Sequence, residues 1–149
     1  MIVQKGRRLA FDYGDVRIGV AVSDRDCIMA TPVVTLETKK ADLWDRVFDL
    51  LAEYEPVRIY VGRPIHLAGQ ASNSTSKAEL FASELRDRYD LEVTLIDERF
   101  STISAQRNLH EAGLSSRASK GVIDQAAAVA ILELALDLEK GQAKRDRGE

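Results

Sequence analysis

From Val57 onward, short apolar strands are separated by amphipathic helices, and this alternation is what most constrains the fold. Val57–Gly62 and Glu92–Asp97 read as strands. Between them, Lys77–Tyr89 gathers Ala78, Phe81, Ala82, Leu85 and Tyr89 on one helical face. Before them, Asp42–Tyr54 does the same with Leu43, Val47, Leu50, Leu51 and Tyr54, widened by Trp44 and Phe48, until Pro56 stops it. Strands joined through a helix must return in the same direction, so these later strands are predicted to pair parallel. The first part of the chain behaves differently. Arg8–Tyr13, Val16–Ser23 and Cys27–Val34 read as strands joined by tight connections, the first at Gly14-Asp15, and should pair antiparallel. Pro32 places the end of the third at a sheet edge or an exit.

The Gly-, Ser- and Asn-rich stretch Gly62–Ser76, containing Pro64, is long for a connection and reads as a functional loop. Ser101–Ala112 is predicted to be a helix capped by Gly113, and Ser115–Lys120 a polar link. Val122–Leu138 is almost wholly apolar through Leu136, which predicts a helix buried on most sides. The charged tail from Lys140 to Glu149 is expected to fray. The order is β-β-β-α-β-α-β-α-α. It predicts an α/β fold with a mixed five-stranded sheet and helices on both faces, the RNase H-like architecture. Residues 1–138 would form one domain and 139–149 a flexible tail.

Composition narrows the chemistry. The chain has 149 residues, a single cysteine (Cys27) and two histidines (His66 and His110). No disulfide within the chain and no thiolate zinc cluster can form, and a metal would have to be held mainly by oxygen, which points to Mg²⁺ or Mn²⁺. No apolar run is long enough to span a membrane, and no signal-peptide core follows the N-terminus, so a cytoplasmic location is expected. The net charge of −3 argues against a simple electrostatic nucleic-acid binder, but an acidic metal site with local basic patches is compatible with it.

Carboxylates stand where apolar residues would be expected. Asp12 ends the first strand after Leu9-Ala10-Phe11, Asp97 and Glu98 end the last after Val93-Thr94-Leu95-Ile96, and Asp124 lies in the first turn of the apolar final helix. Singly, each can be a turn former or a partner of a helix dipole. Together, with the first and last strands expected to be neighbours and the final helix packed across them, they would meet at one edge. Ala10 shares the face of Asp12, and Ala126, Ala127, Ala128 and Ala130 line the helix, so close approach is allowed. Alternation places Glu98 on the face of Ile96 and Asp97 on that of Leu95; which of these is the Ala10 face stays open at this level. Phosphodiester hydrolysis needs an activated water, a stabilised leaving oxygen and neutralised charge, which two carboxylate-held metals can supply.

Leu9-Ala-Phe-Asp-Tyr-Gly-Asp-Val-Arg-Ile-Gly-Val-Ala-Val-Ser-Asp24 resembles the opening motif of the YqgF, or RuvX-like, family. Val61-Gly-Arg-Pro64, Asp97-Glu-Arg-Phe-Ser-Thr102 and Lys120-Gly-Val-Ile-Asp-Gln-Ala-Ala127 are similar to its three later motifs. Members carry provisional descriptions as pre-16S rRNA nucleases and Holliday-junction resolvases. The resemblance spans about Arg8 to Leu138. It implies catalytic, metal-binding roles for Asp12, Glu98 and Asp124, with Asp97 as alternate for Glu98, and a site for two metal ions is expected. It implies phosphate contacts from Arg17, Arg99 and Lys120, and backbone roles for Gly14 and Gly19. Ser101 and Thr102 would start a helix, most simply as N-caps. Arg63 and His66 depart from the family pattern; His66 reads best as a solvent-facing loop residue and His110 as a helix-surface one.

Arg7, Arg8, Arg63, Arg99, Arg107, Arg117 and Lys120 are candidates for a basic rim. No cluster of exposed aromatics suggests a base-stacking platform, so recognition by shape and phosphate is expected. The partner would be structured RNA, pre-16S rRNA above all and with it the ribosomal particle, or branched DNA. Paired nicks in a junction would require a homodimer. Two other classes compete. Asp12–Gly19 resembles the phosphate loop of actin-like ATPases, but those clamp ATP between two such domains. A non-catalytic binding module would be favoured by loss of a carboxylate, and none of the expected ones is missing.

Overall fold

The computed structural model describes residues 4–64, 73–98 and 117–148. Its elements are β1 (Arg8–Tyr13), β2 (Arg17–Ser23), β3 (Ala30–Glu37), α1 (Leu43–Tyr54), β4 (Arg58–Arg63), α2 (Asn73–Tyr89), β5 (Glu92–Asp97) and α3 (Arg117–Asp146). The expected helix Ser101–Ala112 lies outside the described residues, and the described part of the polar link expected at Ser115–Lys120 is instead helical from Arg117.

The strands form one mixed sheet in the order β3-β2-β1-β4-β5. β1 with β2 and β2 with β3 run antiparallel, while β1 with β4 and β4 with β5 run parallel. This is the predicted pattern, with one correction: the first and last strands are not neighbours. β4 returns from its crossover beside β1 and takes the position expected for β5.

Strand alternation divides the interior into two layers. Leu9, Phe11, Ile18, Val20, Ile59, Val61 and Val93 face α1 and α2. Ala10, Ala21, Tyr60 and Ile96 face α3, meeting Ala127, Ala128, Ile131, Leu132 and Ala135. The small residues on the second face let α3 sit close to the sheet.

Several boundaries move for local reasons. β3 begins at Ala30 rather than Cys27, because Cys27 takes a left-handed conformation and Asp24 Oδ1 accepts the amides of Ile28 and Met29 at 2.7 and 2.9 Å. Pro32 lies inside β3, opposite Ala21 and beside a register shift at Val20/Ala21; an edge strand tolerates the missing donor. α1 ends where Glu55, left-handed, donates its amide to the Leu51 carbonyl at 2.9 Å, just before Pro56.

α3 departs most from expectation. Among the described residues only one stripe of it is buried, and Val122 and Leu138 are exposed. The helix also continues to Asp146, past the helix end expected at Leu138, and Ala143 is buried. Glu139 explains the continuation. Arg8, fully buried, donates Nη2 to its Oε1 at 2.7 Å and Nε to its Oε2 at 3.1 Å. The Tyr60 hydroxyl donates to Oε2 at 2.5 Å, and Arg58 Nη1 lies 3.4 Å from Oε1. No helix among the described residues is long and apolar enough to cross a membrane.

Candidate active site

The site centres on one row across the sheet. Thr35, Gly19, Asp12, Gly62 and Ile96 are successive partners on β3, β2, β1, β4 and β5. Asp12 therefore has a glycine on either side. Alternation from Ala10 turns it toward the α3 face, and it is 3% exposed.

Each glycine admits another chain segment. A Cβ on Gly19 would collide with the backbone carbonyl of Asp124, so the missing side chain is what lets the first turns of α3 rest on β2. A Cβ on Gly62 would strike Ile131 and lie 3.0 Å from Glu98 Oε1. Glu98 is thus on the α3 face beside Asp12, and is 5% exposed. Val93 and Leu95 belong to the opposite layer, which puts Asp97 on the far face by alternation. The structure resolves the ambiguity of position between these two carboxylates: Glu98 is the one beside Asp12.

Asp124 reaches the same end of the sheet from α3. Its Oδ2 accepts a hydrogen bond of 2.7 Å from Arg17 Nε, across side chains that are 16% and 26% exposed. Its neighbour Gln125 donates to Thr35 Oγ1 at 3.1 Å, tying the same turn to the edge strand. Asp12, Glu98 and Asp124 thus lie toward one end of the sheet, about the glycines on either side of Asp12. Among the described residues, no three of His, Cys, Asp and Glu yet stand close enough to grip one ion.

The basic residues fare unevenly. Arg17 is at the site but paired with Asp124. Arg8 is removed from the expected rim: it is buried at the opposite end of the sheet, at the start of β1, on Glu139. Arg63 pairs with Glu79 at 3.0 Å. Arg99, Ser101, Thr102, Arg107, His66 and His110 lie outside the described residues, as do the side chains of Arg117 and Lys120. Sequence reading missed the Glu139 cluster. Its signal in the sequence is an acidic residue at the point where the apolar helix meets the charged tail, a place that reads as the start of that tail. Burial pushes Glu139 up, but the hydrogen bonds from Arg8 and Tyr60 and the charges of Arg8 and Arg58 outweigh it and hold the carboxyl below its ordinary value. Burial and the Glu139 contact push the Tyr60 hydroxyl up.

A mixed sheet of this order, helices on both faces and acidic residues at one sheet end define an α/β protein of the RNase H-like class. RuvC from Thermus thermophilus, solved in complex with a Holliday junction substrate, superimposes with a TM-score of 0.56 at 13% identity, over 91% of this chain and 96% of that one. Another T. thermophilus RuvC structure gives 0.54 at 12% identity. Residues 6–138 match the family model described as RuvX, Holliday junction resolvase, and the chain belongs to that family. A Rhodococcus opacus relative is 48% identical over 139 residues, covering 89% of this chain and 78% of the relative. A Cutibacterium acnes relative is 43% identical over 145 residues, covering 96% and 90%. Both carry the provisional name of pre-16S rRNA nuclease.

Proposed function

We propose that this chain is a nuclease that hydrolyses phosphodiester bonds in structured RNA, acting in the cytoplasm on the 5′ end of pre-16S rRNA during ribosome assembly. The observation that carries the reading is the placement of Asp12 between Gly19 and Gly62, which brings Glu98 and Asp124 from distant segments to its two sides. The names of the relatives supply the substrate.

The residues fit divalent cations. The donor set is all carboxylate, as hard cations prefer, the two glycines clear space around Asp12, and a guanidinium already stands as a cation at Asp124. Asp12, Glu98 and Asp124 would hold the metal, Mg²⁺ or Mn²⁺ and two ions in this reading; Asp97, on the far face of the sheet, would not. Bound there, divalent cations would supply charge neutralisation at the phosphate and a lowered water pKa, so that the water can lose a proton and act as the nucleophile. The protein's part is positional. β1 and the end of β5 hold two carboxylates rigidly, α3 brings the third, and Arg17, Arg99 and Lys120 would hold substrate phosphates.

A second reading, cleavage of four-way DNA junctions, is favoured by the family description and by the RuvC likeness. It uses the same chemistry but needs two copies related by a two-fold axis. The deciding experiment offers labelled precursor rRNA ends and four-way junctions with Mg²⁺, Mn²⁺ or EDTA, to the parent and to Asp12→Asn and Asp124→Asn. Metal-dependent cutting of the RNA, lost in both variants, is expected. Cutting of the junction alone would move the function to DNA. Cutting that survives either substitution would overturn the site.

A further inference from the structure

The contact between Arg17 and Asp124 has a consequence for the metal site. Arg17 opens β2 and lies on the α3 face, because Ile18 turns to the other layer. Two residues on, Gly19 lets the backbone of Asp124 rest on the strand. The Asp124 carboxylate is thereby delivered to Arg17 Nε at 2.7 Å, where both side chains are largely shielded from water. Screening is weak in such a place, so the pair is stronger than one at the open surface.

From this we infer that Arg17 is a tethered counter-ion that sets the metal affinity of the site: a divalent cation gains Asp124 by displacing the guanidinium. The inference rests on the proposed carboxylate site. The guanidinium neutralises Asp124 while no metal is bound, and it holds the carboxylate at β2. Once displaced, Arg17 remains tethered beside the cations, where a substrate phosphate would lie. Toward the metal, Arg17 is therefore a positioning residue that acts through Asp124.

The test is direct Mn²⁺ binding to the full chain, by calorimetry and by the rise in melting temperature on Mn²⁺ addition, without substrate. Arg17→Gln removes the counter-ion and is expected to bind Mn²⁺ roughly tenfold tighter than the parent. Arg17→Lys keeps the charge and is expected to stay near the parent. Equal or weaker binding by Arg17→Gln, or a Lys variant as tight as the Gln variant, would overturn the inference. Asp12→Asn and Glu98→Gln separate its failure from that of the site. If both bind Mn²⁺ as the parent does, the carboxylate site is wrong. If both lose binding while Arg17→Gln gains nothing, the site stands and the counter-ion role falls. Binding by Arg17→Gln where the parent shows none supports the inference, and binding by neither removes it together with the site.

Discussion

Arg8 grips both oxygens of Glu139, 131 positions later in the chain, and so fastens the end of α3 to the start of β1. Arg8 is fully buried, and removing it would leave a shielded carboxylate held, among the described residues, by Tyr60 and Arg58. Arg8→Met is expected to cost about 3–5 kcal/mol of unfolding free energy, whereas Arg8→Met with Glu139→Leu should recover much of that loss. Urea unfolding of the two single variants and the pair checks this.

The same cluster fixes a pH dependence. The Glu139 carboxyl is held below its ordinary value of 4.5 when folded. Its contribution is therefore fully present above the unfolded pKa and is lost as pH falls through the folded one. Glu139→Gln is expected to be clearly less stable than the parent at pH 7, with the difference shrinking as pH drops below about 4. Melting temperatures from pH 7 to 3 give the readout, and a constant difference would contradict the account.

A chain ending at Leu138 would keep every residue of the family match yet lose Glu139 and buried Ala143. It is expected to lose roughly 3 kcal/mol or more, because Arg8 would stay buried without its carboxylate. A chain ending after Asp146 should unfold like the parent, and comparing their urea midpoints tests the tail.

The two glycines beside Asp12 should respond differently to alanine. Gly19→Ala meets backbone, which can yield only by lifting α3, so a loss of about 3 kcal/mol or more is expected. Gly62→Ala meets the ends of the Ile131 and Glu98 side chains, which can shift, at about 1–2 kcal/mol. Since that shift moves Glu98, Gly62→Ala should lower cleavage by more than its stability loss suggests. Denaturation and cleavage rates measured on the same samples separate the two effects.

Asp12→Asn should cut cleavage at least about a hundredfold while leaving folding stability unchanged or higher. Asp12 is buried beside another carboxylate, and the amide has nearly the same shape without the charge. A variant that unfolds with its loss of activity would mean that Asp12 is structural instead.

Much of this was legible in one dimension because local rules govern it. Strand alternation, the helical stripes, the parallel and antiparallel pairings and the unusual positions of Asp12, Glu98 and Asp124 all follow from spacing along the chain. The family resemblance marked Gly19, without saying what touches it. Its purpose is a contact with Asp124, 105 residues away, and nothing local records that.

Tertiary structure decided what depends on neighbours across the sheet. Alternation left Asp97 and Glu98 equivalent; α3, by covering the Ala10 face, selected Glu98 as the neighbour of Asp12. The order of the strands placed β4 and its Gly62 between β1 and β5, where sequence reading had made those two adjacent. Glu139 read as the start of a charged tail, because burial and ion pairing are set by what packs around a side chain. The sequence by itself determined which elements form and which carboxylates stand out; only packing decided which of those residues meet, since contact between distant segments depends on the faces the fold presses together.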